Sequence, residues 1–172
     1  MRAESVVFES RKYRIVRREI PGRDGCTHAF DLIRHAGAVV VLPLLSDGLV
    51  VLIQVQRPAV DCELLELPAG TLEPGEDPLS CARRELAEET GYKAGRIEPL
   101  CSFFTTPGMT NERMHAFVAT ELTAGPQALE GDERITVACV PYDEALAAVR
   151  DGRIVDGKTI ATLLYFDRFG RP

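Results

Sequence analysis

The stretch GTLEPGEDPLSCARRELAEETGY, residues 70–92, decides how the rest of the chain is read. Its second half has the marks of a helix. Asp77 is an acceptor suited to the N-cap, and Pro78 follows at the first helical position, where a missing N–H costs nothing. Gly91 supplies the stop, so the helix should end near Thr90. At about 100° per residue, Leu79, Ala82 and Leu86 fall on one side. Glu85, Glu88 and Glu89 fall within roughly 100° of one another on the opposite side. Such like-charged neighbours cost an isolated helix about 0.2–0.5 kcal/mol per pair, and Arg84 borders the cluster without compensating it fully. Either the face is simply solvated or it holds a cation. Hard divalent ions such as Mg²⁺ and Mn²⁺ prefer oxygen ligands, and a helix is a rigid mount for three carboxylates around one or more of them. Gly70 and Gly75 permit sharp turns before the helix, which lets Ala69 direct its carbonyl towards the same ion.

Working outward, residues 64–67 read as a strand, followed by loop over Pro68-Ala69-Gly70 and Pro74-Gly75. Residues 37–45 and 49–55 are nearly continuous apolar runs joined by Ser46-Asp47-Gly48, the pattern of central strands buried on both faces. Residues 13–20 and 27–34 alternate in part and flank the turn signal Pro21-Gly22-Arg23-Asp24-Gly25, as in a hairpin. Downstream, strand-like runs occupy residues 97–105, 113–121 and 134–140. Residues 142–150, opened by Pro141, and 158–169 read as helices. Strands and helices are mixed rather than regularly alternating, so the class is α/β with a mixed sheet, an α+β arrangement and not a doubly wound one. Residues 1–36 are expected to form an N-terminal antiparallel β extension and residues 37–172 the main domain, although no linker marks the boundary.

The 172 residues suit one sizeable core, and the formal net charge is -6. A grip on nucleic acid through its phosphates calls for the opposite sign, so no nucleic-acid partner is expected. A small polyanion remains compatible, provided metal cations or local arginines hold it. Cys26, Cys62, Cys81, Cys101 and Cys139 are odd in number and form no C-x-x-C pair, which points to buried, reduced thiols rather than a zinc site or disulfide framework. No apolar run approaches the roughly 20 residues of a membrane span, and residues 1–10 lack a signal-peptide core. A cytoplasmic protein with no membrane partner is the expectation. His28, His35 and His115 show no metal-ligand spacing and read as structural or surface residues.

The opening stretch resembles the Nudix box, G-x5-E-x7-R-E-U-x-E-E-x-G-U, with U a bulky apolar residue. Gly70, Glu76, Arg84, Glu85, Leu86, Glu88, Glu89 and Gly91 stand at its fixed positions, and Tyr92 fills the last U place, more polar than usual. The resemblance implies a Nudix α/β/α sandwich with the box as loop–helix–loop. It implies Glu85 and Glu89 as principal metal ligands, joined by the Ala69 carbonyl, with Glu88 as a further ligand or a base-orienting group. Arg84 and Glu76 would pin helix to loop, and Gly70 and Gly91 would be backbone requirements.

The flanks resemble ADP-ribose pyrophosphatases and their sugar-nucleotide relatives. They are Gln56-Arg57-Pro58, Glu66-Leu67-Pro68-Ala69-Gly70 and residues 104–112, whose Pro107 lies about fifteen residues past the box. The resemblance implies metal-dependent hydrolysis of a nucleoside diphosphate substrate, ADP-ribose first, with Mg²⁺ or Mn²⁺ in two or more sites. It also implies a homodimer built on the N-terminal strands. Arg57 is the candidate phosphate contact, because a guanidinium pairs with phosphate oxygens in a planar fork. Pro107 and Gly108 would shape a substrate loop. Glu133 and Glu112 are candidates for the downstream carboxylate that binds metal or activates water, with Glu130 and Asp132 competing. GDP-mannose and ADP-glucose are rival substrates. A non-catalytic Nudix module that senses a nucleotide is a rival of another class, although such modules usually lose box glutamates. An RNA-end hydrolase is disfavoured by the acidic charge.

Overall fold

The apolar run after Gly37 becomes the most buried strand of the molecule because both of its faces are covered. The computed structural model describes residues 4–10, 13–129, 131 and 133–170. In chain order its strands are β1 (Glu4–Glu9), β2 (Tyr13–Pro21), β3 (Thr27–His35), β4 (Ala38–Pro43), β5 (Leu49–Arg57), β6 (Cys62–Glu66), β7 (Ala69–Thr71), β8 (Lys93–Phe104), β9 (Arg113–Thr123) and β10 (Ile135–Pro141). Helix α1 (Pro78–Thr90) lies between β7 and β8, and α2 (Tyr142–Asp151) and α3 (Gly157–Tyr165) follow β10.

Along β4, successive side chains point to opposite faces. Ala38, Val40 and Leu42 join a core with Ala145 and Ala148 of α2 and Leu163 of α3. Val39 and Val41 join a second core with Cys81, Ala82 and Leu86 of α1. One strand is thus clamped between helices on two sides, the sandwich expected of the class. Its parallel partner is β9, and β7 pairs with its other edge.

The sheet is not continuous. Strands β7-β4-β9-β8 form one sheet, β10-β5-β6 a second and β1-β2-β3 a third. The third is antiparallel throughout, with β2 and β3 joined across the expected hairpin. Strand β1 was not foreseen, because charges interrupt its apolar residues; its side chains are all exposed, so no burial pattern marks it.

Five further expectations do not hold. Residues 69–71 form a strand where a loop was expected, since pairing to β4 outweighs the low strand propensity of glycine. Strand β8 begins at Lys93, and α3 ends at Tyr165, followed by a π-helical turn at Phe166–Gly170. On α1, Leu79 is exposed while Cys81 and Glu89 are buried, so the apolar stripe is rotated from the one drawn. Cys26, Cys62 and Cys139 are exposed, and only Cys81 is buried, so the expectation of buried thiols fails for most of them. All five are free.

Candidate active site

Helix α1 is set as its sequence requires. The Asp77 carboxylate accepts from the N–H groups of Leu79 and Ser80, both at 3.1 Å. Gly91 closes the helix in the left-handed region, φ 76°. A Cβ on Gly91 would lie 2.3 Å from the Gly125 carbonyl oxygen, so glycine is needed for contact as well as for conformation. The loop that approaches there caps the helix end. The Ala128 N–H donates to the Glu88 carbonyl at 2.9 Å, and the Gln127 amide donates to the Glu89 carbonyl at 2.6 Å.

The helix presses its carboxylates against β7. A Cβ on Gly70 would fall 1.9 Å from the Glu85 carboxylate, so glycine leaves the carboxylate the place it takes against β7. Glu85 and Glu89 are 8% and 5% exposed, which excludes the simply solvated face. The Ala69 N–H donates to Glu89 Oε2 at 2.8 Å. Arg84 is the charge partner of the cluster. Its Nε and Nη2 pair with Glu76 at 2.9 and 3.0 Å, and its Nη1 reaches Glu85 at 2.7 Å and Glu88 at 3.1 Å. That fork holds the Glu76 carboxyl at about 2.

Among the described residues no cation hydrogen-bonds Glu89, although the charge of Arg57 acts on it. Burial drives its carboxyl up to about 8; the Ala69 N–H opposes the rise, and the negative neighbours Glu85 and Glu133 add to it. Burial also raises Glu85, against the pull of Arg84. Among the described residues, no group of three or more His, Cys, Asp or Glu side chains is arranged to hold an ion as it stands. Arg84 and the Ala69 N–H occupy the carboxylates instead. What fits a hard divalent cation is the donor chemistry: two buried carboxylates, Glu89 with no hydrogen-bonded cation and Glu85 sharing Arg84 with Glu76 and Glu88, with Glu88 beside them on the same helix.

These groups line a cavity of about 400 Å³ with Glu133. Glu112 is not part of it. Glu112 lines a second cavity of about 600 Å³, where its Oε2 accepts from Thr105 Oγ1 at 2.6 Å. Arg57, Ala69, Gly70 and Thr71 line both cavities, so the two meet along β7. Pro107 and Gly108 sit in an exposed turn and line neither. Glu130 and Asp132 lie outside the described residues. His28 pairs with Asp24, and His35 Nδ1 accepts from the Gly37 N–H.

Arg57 is more committed than its sequence suggested. Its Nε and Nη2 donate to the two oxygens of Glu66, each at 2.8 Å. Glu66 also bonds the Lys158 ammonium, which lies 3.0 Å from Asp156 Oδ1. Lys158 and Asp156 line the larger cavity beside Arg57. Sequence reading passed over this cluster. Glu66 stands in a quoted flank, but Lys158 is 92 residues away and carries no local signal.

The NUDIX domain model matches residues 34–163. Similar proteins include the methanol dehydrogenase activator of Bacillus methanolicus, 35% identical over 92% of this chain and 87% of that protein. The ADP-ribose pyrophosphatase of Bacillus subtilis is 32% identical over 95% and 89%. The GDP-mannose pyrophosphatase of Yersinia enterocolitica is 39% identical over 77% and 73%. The crystal structure of an ADP compounds hydrolase shares the fold, with a TM-score of 0.82 and 22% identity over 97% of this chain and 91% of that one. The chain is therefore a Nudix hydrolase, in the branch of the superfamily that includes an ADP-ribose pyrophosphatase.

Proposed function

We propose that the protein hydrolyses the diphosphate of ADP-ribose to AMP and ribose 5-phosphate, with Mg²⁺ or Mn²⁺ held in two or more sites. The observation that carries this reading is the pair of buried carboxylates, Glu85 and Glu89, facing a cavity that meets a larger one at Arg57. The first suits cations and a diphosphate, and the second has room for the organic part of the substrate. The similar ADP-ribose pyrophosphatase supports the substrate class.

Glu85, Glu89, Glu88 and the Ala69 carbonyl would hold the ions. When bound, divalent ions neutralise the diphosphate and lower the pKa of water. Glu133 shares the carboxylate cavity, so it is favoured over Glu112 to orient the attacking water and take its proton. Water oxygen bonds to one phosphorus, and the bond from that phosphorus to the bridging oxygen breaks. Arg57 contacts a phosphate, and Glu112, Pro107 and Gly108 belong to the loop beside the larger cavity. The N-terminal sheet leaves Val6, Val7 and Phe8 exposed, which supports a homodimer through that sheet. Among the described residues, no helix is long and apolar enough to cross a membrane; a cytoplasmic setting is part of the proposal.

A second reading, GDP-mannose as substrate, is favoured by the similar GDP-mannose pyrophosphatase. Incubation with ADP-ribose, GDP-mannose and ADP-glucose, with Mg²⁺ and then with EDTA, tests both. AMP formed fastest from ADP-ribose and abolished by EDTA is the expected result. Faster turnover of another sugar nucleotide moves the substrate. Binding of ADP-ribose without turnover of any would make the protein a nucleotide-sensing module.

A further inference from the structure

Glu66 is 1% exposed and lines neither cavity, yet both cations it touches line the larger one. A buried ion pair is weak evidence for stability, because well-packed apolar residues often serve as well. Its effect on geometry is more specific. The two parallel bonds to Arg57 fix the plane of the guanidinium. The bond to Lys158 brings a flexible ammonium from α3 to the same carboxylate. Asp156 braces the ammonium from one side and caps α3, accepting from the Thr159 N–H at 2.9 Å. The Thr159 hydroxyl in turn accepts from the Leu67 N–H at 2.8 Å, next to Glu66 in the chain.

Donor arithmetic shows what is left over. A guanidinium has five N–H donors and an ammonium three. Two of the first go to Glu66, and the second is shared between Glu66 and Asp156. The remaining donors belong to groups that face the cavity, while the carboxylate that gathers them stays behind. A phosphate carries the acceptors such a donor set satisfies.

We propose that Glu66 is a positioning residue, which holds Arg57 and Lys158 together as a seat for a phosphate of a nucleoside diphosphate where the two cavities meet. Without its charge the two cations repel, and the lysine stem swings free. The inference rests on reading the cavities as a nucleoside diphosphate site, but not on ADP-ribose being the substrate.

The test is calorimetric titration of ADP in Mg²⁺ into the full chain and its variants, with folding checked by circular dichroism. Glu66→Gln should weaken ADP by about tenfold. In a chain already carrying Arg57→Ala and Lys158→Met, the same change should cost less than about twofold, because Glu66 acts through those two. A merely structural glutamate would lower the melting temperature and leave the affinity of the folded protein unchanged. That result, the full tenfold loss persisting without both cations, or an absence of ADP binding to the unaltered chain would overturn the proposal. Should Glu66→Gln fail to fold, Lys158→Met alone carries the test: about tenfold weaker ADP is expected, and unchanged affinity overturns it. Failure to hydrolyse ADP-ribose would sink the functional reading while leaving this titration readable.

Discussion

Glu66 and Glu89 are both almost fully buried, and they solve the cost of a buried charge in opposite ways. Burial pushes Glu66 up, but the Arg57 fork and the Lys158 ammonium outweigh it, and the carboxyl stays below its ordinary value. Burial pushes Glu89 to about 8, with one backbone N–H and the unbonded charge of Arg57 against it. The first carboxylate is complete within the chain. The second is left without a hydrogen-bonded cation, facing a cavity. A folded protein keeps such a deficit where something from outside makes it good, and a divalent cation is the partner its oxygen donors suit.

The comparison breaks most visibly if the two sites respond alike to loss of charge. Glu66→Leu leaves two cations without their shared anion and should destabilise the protein by about 3 kcal/mol. In EDTA, Glu89→Gln should be neutral or stabilising, because it removes a charge the metal-free fold does not want. Urea unfolding of both variants in EDTA reads the difference, and equal losses would end the distinction. With Mg²⁺ present the order reverses in catalysis. Glu89→Gln should lower turnover by at least about 10²-fold, roughly 2.7 kcal/mol of transition-state stabilisation. Near-normal turnover by that variant would remove Glu89 from the ligand set.

The pH dependence of stability should carry opposite signs at the two sites. Glu66 has a folded pKa below its unfolded value, so its contribution is present above the ordinary carboxylate range and lost as pH falls. Glu89 has a folded pKa raised to about 8, so its contribution is present at acid pH and lost as pH rises towards 8. In EDTA the melting temperature should therefore fall between pH 5 and pH 8, by about 10 °C. Glu89→Gln should flatten that fall, and Glu66→Gln should leave it in place. A fall of the same size in Glu89→Gln would assign it to other groups.

How much of this was legible differs between the two glutamates. The helix of residues 78–90 could be read from Asp77, Pro78 and Gly91, since caps are local and chemically explicit. The carboxylate cluster could be read from spacing, and the family from the box it resembles. Burial could not be read. Nothing in the helix says that Gly70 admits Glu85 to within a side chain's thickness of β7. Glu66 was passed over because its partners come from β5 and α3, and only the fold brings Lys158 to it. The edges of β8 and α3 were missed for a related reason: pairing with β9 and packing on β4 set their lengths, and neither acts locally. The composition of Ala69–Thr71 is that of a turn, and its pairing with β4 makes it a strand.

The smallest predicted effect separates the sites most cleanly. A ligand that binds only the folded state stabilises it by RT ln(1 + [L]/Kd), about 1.4 kcal/mol at ten times Kd. For a chain of this size that raises the melting temperature by about 4 °C. Mg²⁺ should produce this shift near pH 8, where the deficit at Glu89 is greatest, and little of it near pH 5, where protons compete for the same oxygens. Glu66→Gln should keep the shift, because its carboxylate is already satisfied by the chain. Glu89→Gln should lose it. A shift that survives Glu89→Gln and vanishes in Glu66→Gln would mean that the ion binds at the larger cavity, and the roles assigned to the two buried carboxylates would have to be exchanged.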